Sequence, residues 1–410
     1  MKPLHSIAGL FCVLAIVIPG FTDDKKAVDP KKDEEGFVPM FNGKDLAGWV
    51  NVNCAPETFF VKDNEIITTG KPTGYLRTEK QYENFIAEFD WKHIPPKPDE
   101  VGNSGFFVWA DPIPAVGTGY TRGIEVQVLV NLEYKNKKGE ITATSHGDLF
   151  SIWGATCVPD RPHPDGWERC LPSENRAKGA NEWNHYQVEA NDGVIKLAVN
   201  GKVVSGISKC NPRKGYLALE SEGSECRFRN LKIKELPSTN PKPKEIADEA
   251  QGHQNLFFGN LTGWKADDEA KKHWKANDWM LHYDGKGKEL RTEKEHGDAE
   301  FVVDFKFPEK KESACAFAFV GDKIGEEWTL RLTPDGKYSA SAGDRGLLGK
   351  IAGLKPAGQW NRLRVTTKGE FAFNGGELSQ LKALGSGKSA LSLRPEGEME
   401  FANLFVRVLK

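Results

Sequence analysis

The stretch FIAEFDW, residues 85–91, decides the fold class of this chain. Its apolar side chains stand at every second position, which is the period of a β-strand with one buried face. The segments GIEVQVL (123–129) and VIKLAVNGKVV (194–204) behave similarly, and the Asn-Gly pair in the second favours a hairpin turn. Short strands between glycine-rich turns predict an all-β protein built as a sandwich. Only KEIADEA (244–250) and parts of 376–390 have a helical pattern.

The alternating pattern occurs twice in the chain. FIAEFDW matches FVVDFKF (301–307), and LRTEK is found at 76–80 and again at 290–294. Three more pairs of segments match in the same order: PMFNGKDLAGW with NLFFGNLTGW, NEWNHYQV with GQWNRLRV, and YLALESEGSECRFRNLKI with LSLRPEGEMEFANLFVRV. Matching blocks in one order predict an internal duplication that produced two β-sandwich domains.

Length and composition agree with two globular domains. A chain of 410 residues exceeds one ordinary core, and 39% hydrophobic with 10% aromatic residues is typical of folded proteins. The net charge of −2 argues against nucleic acid or an anionic membrane as a partner. We predict a first domain over 36–237, a linker rich in proline and charge over 238–252, and a second domain over 253–410.

The N-terminus is typical of a secretory signal peptide. Lys2 precedes the apolar run IAGLFCVLAIVI, which is too short to span a bilayer, since spanning takes about 20 residues. We predict a signal peptide over 1–22 and a solvated tether over 23–35. The protein is then exported to the periplasm or the extracellular space, with no transmembrane segment after cleavage.

Export permits disulfides, and six of the seven cysteines lie beyond the signal peptide. The spacing favours the pairs Cys157–Cys170 and Cys210–Cys226, although spacing alone leaves the connectivity open. No C-x-x-C pair is present, so a zinc site built from thiolates is not expected.

The two copies differ at polar positions of their strands. The aligned pairs are Asn103 with Ala314, Ser104 with Cys315, Glu125 with Thr329 and Gln127 with Arg331. The apolar positions of the same segments keep their character in both copies. A fold that was retained while a site was lost would leave this pattern, so we expect the site in the first copy.

Glu125 and Gln127 stand two residues apart in a predicted strand, so their side chains project on the same face, about 7 Å apart. A carboxylate beside an amide can transfer a proton and hold a hydroxyl group, and we interpret Glu125 as a general base or acid. Asn103, Ser104, Arg122 and Gln127 are then candidates for binding the substrate. The glycine that follows Asn103 and Ser104 lets a ligand approach the backbone closely.

His146 and Asp148 lie in the loop TSHGDLFSIWGA (144–155) and form a second candidate group. Histidine titrates near neutral pH, so His146 is a candidate catalytic residue that assists Glu125. Asp148 is a candidate for binding the substrate, or for forming a metal pair with His146. A divalent cation is the one cofactor that these residues leave open.

Each candidate has a structural alternative. Glu125 could lie on a solvated sheet face, Asn103 could be a turn residue, and His146 could bond only to backbone. Trp183 and Asn184 recur in the second copy, which indicates a shared framework. Neither a G-x-S-x-G elbow nor a phosphate-binding glycine loop is present.

The segments FNGKDLAGW, GNSGFF, GIEVQVL and EWNHYQV, in that order, resemble the family of exported bacterial proteins called the 3-keto-disaccharide hydrolase domain. The resemblance covers about residues 36–236, and the second copy resembles the family in outline only. It implies a concanavalin A-like jelly roll, and action on glycosides whose sugar is oxidised at C3. Asn103, Ser104 and Gly105 match the family's N-S-G, and Glu125 with Gln127 matches its E-x-Q strand.

The chemistry that the resemblance implies is consistent. A ketone at C3 acidifies the C2 proton, so a base could remove it, the group at C1 could leave, and water could add back. Direct hydrolysis by two carboxylates is the other route. We therefore expect an exported enzyme that cleaves 3-keto-glycosides or related carbohydrates. The alternatives are a non-catalytic, lectin-like carbohydrate-binding protein, since fold does not fix function, and an adhesion module with no small-sugar pocket.

Overall fold

The computed structural model describes residues 36–309, 313–321, 327–376, 379–380 and 388–409. The predicted signal peptide and tether lie outside the described residues. Strands make up most of the regular structure, which confirms the all-β class. Within the described ranges, none of the helices has the length and apolar character needed to cross a membrane.

The first sandwich is formed by residues 38–235. Its strands are β1 (Val38–Pro39), β2 (Trp49–Val52), β3 (Phe59–Lys62), β4 (Glu65–Thr68), β5 (Gly74–Thr78), β6 (Phe85–Ile94), β7 (Gly102–Ala110), β8 (Gly123–Val130), β9 (Glu133–Lys135), β10 (Ile141–Thr144), β11 (Leu149–Ile152), β12 (Thr156–Pro159), β13 (Arg169–Cys170), β14 (Asn184–Asn191), β15 (Val194–Val199), β16 (Lys202–Asn211), β17 (Tyr216–Ser221) and β18 (Glu225–Glu235).

Two sheets face each other in this sandwich. The back sheet has the order β12-β16-β15-β14-β6-β18-β4-β3, with β1 beside β18, and the front sheet has the order β13-β11-β8-β7-β17-β5-β2. β9 and β10 form a separate hairpin. The inner faces of both sheets bury one hydrophobic core, which includes Phe89 and Trp91 from the back sheet and Phe106 and Val126 from the front sheet.

The sequence patterns predicted these strands correctly. In β6, buried residues alternate with half-buried ones along the whole strand, and Phe85 to Trp91 contribute every second side chain to the core. The predicted hairpin turn lies between β15 and β16, where Asn200 and Gly201 have φ angles of 47° and 85°. Asn and Gly are favoured there because other residues adopt positive φ at a cost.

The second sandwich is formed by residues 254–408. Its elements are β19 (Gln254–Asn255), helix α1 (Ala270–His273), β20 (Trp274–Asn277), β21 (Met280–Tyr283), β22 (Leu290–Arg291), β23 (Ala299–Lys306), β24 (Ala314–Gly321), β25 (Glu327–Leu332), β26 (Lys337–Ala342), β27 (Arg345–Lys350), β28 (Trp360–Thr366), β29 (Glu370–Phe373), β30 (Ser379–Gln380), β31 (Ser389–Glu396) and β32 (Met399–Val408).

The second sandwich repeats the strand order of the first. Its back sheet runs β20-β21-β32-β23-β28-β29-β30, and its front sheet runs β22-β31-β24-β25-β26-β27. In the first sandwich the last long strand, β18, lies between β4 and β6. In the second sandwich the last long strand, β32, lies in the same way between β21 and β23. The shared order agrees with the predicted duplication, which itself stays a prediction about origin.

The two sandwiches pack against each other. Val302 and Phe405, on the back sheet of the second sandwich, join Tyr75, Phe107 and Ala218 of the first sandwich's front sheet in one buried cluster. The outer face of the front sheet is therefore partly covered by the second sandwich. This contact removes from solvent a sheet face that an isolated first domain would expose.

Residues 112–121, the loop between β7 and β8, lie in the contact between the sandwiches. The buried Asp304 carboxylate accepts a hydrogen bond of 2.9 Å from the backbone N–H of Gly117. The amide of Asn403 donates to the carbonyl oxygen of Ala115 over 3.1 Å. The second sandwich thus fixes a loop of the first, because it satisfies that loop's backbone groups.

The segment between the sandwiches is held on the first sandwich. Its helical pattern yields one 3₁₀ turn, Pro243–Glu245, and the helix expected over 244–250 is otherwise absent from the structure. Ala247 N–H donates instead to the Lys214 carbonyl over 2.8 Å, because the backbone there pairs with the first sandwich. The other segment with a predicted helical pattern lies within 376–390. Of that range, residues 377–378 and 381–387 lie outside the described residues, and residues 379–380 form a strand.

The disulfide pairs favoured by spacing are wrong. Cys54, Cys157, Cys170, Cys210, Cys226 and Cys315 are all free and buried. Cys210 on β16 and Cys226 on β18 are separated by three intervening strands of the back sheet. Strands lie about 4.8 Å apart, which puts the pair far beyond the reach of about 7 Å between Cα atoms. The Cys157 and Cys170 thiols instead approach the backbone carbonyls of Glu168 and Leu171.

Candidate functional site

A group of glutamates meets on the outer face of the front sheet. Glu125 on β8 is paired across the strands with Phe107 on β7, and Phe107 is paired with Ala218 on β17. Glu220 is two residues beyond Ala218 and therefore projects on the same face. Glu222 follows at the end of β17, where it forms a bridge with Asn103. We call Glu125, Glu220 and Glu222 the carboxyl cluster.

Gly105 leaves the space that the carboxyl cluster occupies. A methyl group placed at Gly105 would meet Oε1 of Glu125 and Oε2 of Glu220, each at 3.0 Å. Such a contact is tighter than about nine in ten that real side chains make, so the carboxyl groups would have to move by a few tenths of an ångström. The glycine of the N-S-G motif therefore allows two carboxyl groups from the flanking strands to lean over β7, which no other residue would permit without a shift.

The two buried members of the cluster have raised pKa values, which favours their protonated forms. Glu125 is 6% exposed and Glu220 is 1% exposed. Burial and the negative charge of Glu222 together raise the pKa of Glu125 to about 8, against the attraction of Arg169. Burial raises the pKa of Glu220 well above its usual range, and the charges of Glu125 and Glu222 add to this effect. Among the described residues, neither carboxyl oxygen of Glu220 has a hydrogen-bond partner.

Glu222 is the member of the cluster that receives the short hydrogen bonds, whereas Glu125 accepts a longer one, of 3.4 Å, from the amide nitrogen of Gln127. The Tyr120 hydroxyl donates to Oε1 over 2.6 Å, and the Asn103 amide donates to Oε2 over 2.5 Å. Burial raises the pKa of Glu222, while the bond from Tyr120 lowers it. Because three like charges cannot gather at low cost, the carboxylate with two donors is the one that ionises first.

Gln127 connects the cluster to a chain of polar side chains. Its amide nitrogen donates to Asn103 Oδ1 over 3.0 Å, and its carbonyl oxygen accepts from Arg169 over 3.1 Å. Arg169 also pairs with Asp148 over 2.8 Å. Asp148 is fully buried and accepts two further bonds from Thr144. This chain fixes the orientation of Gln127, and hence which end of the Asn103 amide faces Glu222.

The structure brings Asn103, Glu125 and Gln127 together, and their functional roles stay predictions. It places Asp148 behind them, where its oxygens accept hydrogen bonds from Arg169 and Thr144. Ser104 points to the other side of β7: it is fully buried and donates to the Glu220 carbonyl over 2.9 Å. Ser104 therefore stabilises the strand pairing from the core side and does not reach the outer face.

Two other predicted residues lie apart from the hydrogen bonds of the cluster. Arg122 forms a bidentate ion pair with Asp111, at 2.7 and 2.9 Å. His146 is half-buried, and burial lowers the pKa of its imidazole. Within the described residues its buried Nδ1 atom has no hydrogen-bond partner. Their predicted roles stay predictions.

Sequence reasoning missed four residues: Glu220, Glu222, Tyr120 and Arg169. A signal for Glu220 was available in the comparison of the two copies. Ser392 pairs with Ala318 as Ala218 pairs with Phe107, so Arg394 occupies the position of Glu220. The first copy thus has a carboxyl group, Glu220, at the position where the second copy has a guanidinium group, Arg394, and this difference indicates that the chemistry of the two faces differs.

The equivalent face of the second sandwich has neutralised charges. Arg331 stands at the position of Gln127 and forms a bidentate pair with Glu396, at 2.7 and 2.6 Å. Arg394 pairs with Glu327 and Glu289. Each of these carboxylates has a guanidinium partner, so the second copy keeps no proton-holding cluster there. Its polar face is suited to structure rather than to proton transfer.

The cluster borders on the second sandwich and on two aromatic rings, the half-buried Tyr120 and the exposed Trp153. Tyr120 stacks on Trp153, with ring centroids 6.3 Å apart and planes inclined by 8°. Asp278 of the second sandwich accepts from the hydroxyl of Thr73 over 2.7 Å, and its charge contributes to the raised pKa of Glu222. The site therefore lies at the junction of the two sandwiches.

The described residues of the site include no group of metal ligands, and a groove lies on the opposite sheet of the first sandwich. In the described ranges, no group of three or more His, Cys, Asp or Glu side chains is arranged to hold a metal ion. A groove of about 590 Å³ lies on the back sheet instead, where Glu88, Asp90 and His185 are among its lining residues. None of the predicted site residues lines that groove.

Comparison with known proteins agrees with the sequence resemblance. Residues 36–234 match the family described as the 3-keto-alpha-glucoside-1,2-lyase-like domain. No curated protein matches the chain. The matched segment ends one residue before the last strand of the first sandwich does, so it contains every member of the carboxyl cluster.

Solved structures with similarity to this chain act on or bind carbohydrates by their descriptions. A protein of Parabacteroides distasonis ATCC 8503, assigned provisionally as a glycosyl hydrolase, is 23% identical and covers 50% of this chain and 95% of its own, with a TM-score of 0.37. The carbohydrate-binding module CBM66 of Bacillus subtilis is 11% identical, covers 46% and 95%, and has a TM-score of 0.33. A β-glucanase of Bacillus licheniformis is 10% identical, covers 36% and 94%, and has a TM-score of 0.29.

The family match covers the first sandwich up to its last residue but one, and the sandwich carries the N-S-G and E-x-Q motifs at the places where the carboxyl cluster forms. Residues 36–234 therefore belong to the family of 3-keto-alpha-glucoside-1,2-lyase-like domains, and the chain is a carbohydrate-active protein.

Proposed function

We propose that the first domain cleaves glycosides whose sugar carries a ketone at C3, by elimination across C1 and C2. One observation carries the proposal: Glu125 and Glu220 meet above Gly105 beside Glu222, and Glu222 accepts two short hydrogen bonds from neutral donors, whereas the bond that Gln127 donates to Glu125 is 3.4 Å long. A site with one ionised and one protonated carboxyl group can remove a proton at one atom and deliver a proton at another. Elimination from a 3-keto-glycoside needs both.

In the proposed reaction, Glu222 is the base. Its carboxylate takes the proton from C2, which the neighbouring ketone acidifies. The electron pair of that C–H bond forms the C1=C2 double bond while the bond from C1 to the leaving oxygen breaks. The products are the free alcohol of the leaving group and a 3-keto sugar with a double bond between C1 and C2.

Glu125 is the acid in this scheme. It gives its proton to the leaving oxygen and becomes a carboxylate as Glu222 becomes protonated, so the charge of the pair is unchanged. The ionised Glu222 keeps the proton on Glu125 before the reaction, since its charge raises the pKa of Glu125. Proton exchange with water restores both groups, and addition of water to the double bond would turn elimination into net hydrolysis.

Asn103 and Gln127 position the reacting groups. Asn103 donates to Glu222, and Gln127 fixes the direction of the Asn103 amide through its own pair with Arg169. Glu220 lies deeper, and its proton prevents a third negative charge under the pair. Export through the N-terminal segment remains part of the proposal, and N-terminal sequencing of the mature protein would test it.

The test is release of a chromogenic leaving group from a 3-keto-glucoside, with the same substrate carrying deuterium at C2 in parallel. We expect wild-type release with a primary isotope effect, and loss of release in Glu222→Gln and Glu125→Gln. Glu396→Gln is the matched control, because Glu396 holds the position of Glu222 in the second sandwich. Wild-type release without an isotope effect would contradict the elimination, and release by Glu222→Gln at the wild-type rate would contradict the assignment of the base.

A lectin-like role is the second candidate, favoured by the 52% exposure of Trp153 beside the cluster. Saturable binding of an unoxidised glycoside, with no release from the 3-keto-glucoside, would select it over the enzyme.

A further inference from the structure

Trp153 stands in a backbone conformation that disfavours its side chain. It follows β11 and has a φ angle of 51°, and Gly154 after it has a φ angle of 98°. The Ala155 N–H closes the turn on the Ile152 carbonyl over 3.2 Å. Turns with two positive φ angles favour Asn and Gly, whereas a bulky residue there is an outlier that costs about 1–3 kcal/mol. Such strain is typical of residues kept for function.

The strained turn directs the indole ring to the carboxyl cluster. Trp153 stacks nearly parallel on Tyr120, and the hydroxyl of Tyr120 donates to Glu222. The stacked pair is thus connected to Glu222 through the Tyr120 hydroxyl, while Trp153 keeps 52% of its surface exposed. The base, the phenol and the indole form a continuous sequence of contacts from the buried sheet face to solvent.

Neighbouring groups make the stack rigid. The Arg122 side chain lies under the turn, 3.8 Å from the position that a side chain at Gly154 would take, and Asp111 holds it by a bidentate pair. The Tyr120 loop is fixed from the other side by the second sandwich. A flat aromatic surface that is already fixed loses little entropy when a ligand binds to it.

We propose that the Trp153–Tyr120 stack is a binding subsite for the sugar ring that leaves in the reaction, that is, the ring next to the 3-keto sugar. The inference rests on the proposed function for the position of the 3-keto ring above Glu222. A pyranose ring presents an apolar face of C–H groups and polar edges, which suits an exposed indole of this kind. The preferred substrate class is then a disaccharide or a longer glycoside, rather than one with a small alkyl leaving group.

Binding is the first readout, because it does not require turnover. The probe is an unoxidised disaccharide, measured by calorimetry on Glu125→Gln in the full chain. We expect Trp153→Ala in that background to weaken binding about tenfold, within the range of aromatic stacking. Trp167→Ala is the matched control: Trp167 is 54% exposed, but it stacks on His163, with centroids 4.4 Å apart. Equal affinity in the Trp153 and Trp167 variants would overturn the subsite.

Turnover is the second readout, in the otherwise wild-type chain. Trp153→Ala should raise KM about tenfold for a 3-keto-disaccharide and leave KM for a methyl 3-keto-glucoside unchanged. An equal rise for both substrates would overturn the subsite, because it would show a general disturbance of the cluster. If the wild type cleaves neither substrate, the proposed reaction fails, while the calorimetric comparison still decides the subsite.

Discussion

Replacing Glu125 with Gln should stabilise the protein, and increasingly so as the pH rises. Gln has the shape of the protonated carboxyl group and no charge to bury. The fold holds the pKa of Glu125 at about 8, whereas an unfolded chain would hold it near 4.3. The folded state therefore binds this proton more tightly than the unfolded state does.

The sign and size follow from proton linkage. A raised carboxyl pKa contributes stability that is complete below pH 4.3 and is lost as the pH rises towards 8. At about 1.4 kcal/mol per pH unit, wild type should lose about 3 kcal/mol from this group between pH 5 and pH 8. Glu125→Gln lacks this loss, and its advantage in Tm should grow by about 6–12 °C over the same range.

The assay is thermal unfolding of wild type and variant at pH 5, 6, 7 and 8, with circular dichroism and calorimetry compared at each pH. Glu396→Gln serves as the control, because Glu396 is half-exposed and paired with Arg331, which lowers its pKa. That variant should not gain stability at any pH. A constant difference in Tm between Glu125→Gln and wild type across this range would refute the argument that burial and Glu222 hold the proton on Glu125.

Three further predictions address the surroundings of the cluster. Gly105→Ala should reduce turnover and cost about 1–3 kcal/mol of stability by urea titration, because its methyl group would lie only 3.0 Å from atoms of both buried carboxyl groups and make them shift; unchanged turnover would contradict the packing argument. Trp153→Asn should raise Tm by a few degrees, since Asn tolerates the positive φ angle, and a lower Tm would show that the ring stabilises the turn. Asp304→Ala should cost about 3–5 kcal/mol, because it removes a fully buried carboxylate and leaves the half-buried Arg362 without its ion-pair partner. It should also slow turnover, because Asp304 holds the loop that carries Tyr120; turnover equal to wild type would mean that the loop keeps its position without this contact.

The alternation of side chains was sufficient to predict the faces of the strands. A strand has a strict period of two residues, so the sequence placed Phe85 and Phe89 inward, and Glu125 and Gln127 on one common face. The fold class follows from the same local property. The comparison of the copies also identified the face that changed its chemistry, since strand register is repeated in both sandwiches.

Partners distant in the chain could not be found this way. Glu220 and Glu222 are about a hundred residues beyond Glu125, and they join it only because β17 pairs with β7. The segment that contains Glu220 and Glu222 matched a segment of the second copy, so we interpreted it as part of the shared fold and not as part of a site. The disulfide pairs were wrong for the same reason, because spacing along the chain does not tell which strands become neighbours in a sheet.

The sequence by itself determined which residues could face one another, because side-chain direction along a strand is a local property of the backbone. Only the tertiary structure decided their protonation and their partners. The pKa of Glu125 depends on burial and on the charge of Glu222, and Tyr120 reaches Glu222 from a loop that residues of the second sandwich hold in place. Burial and Coulomb interactions depend on distances through space, and those distances are set by how the sheets and the two sandwiches pack.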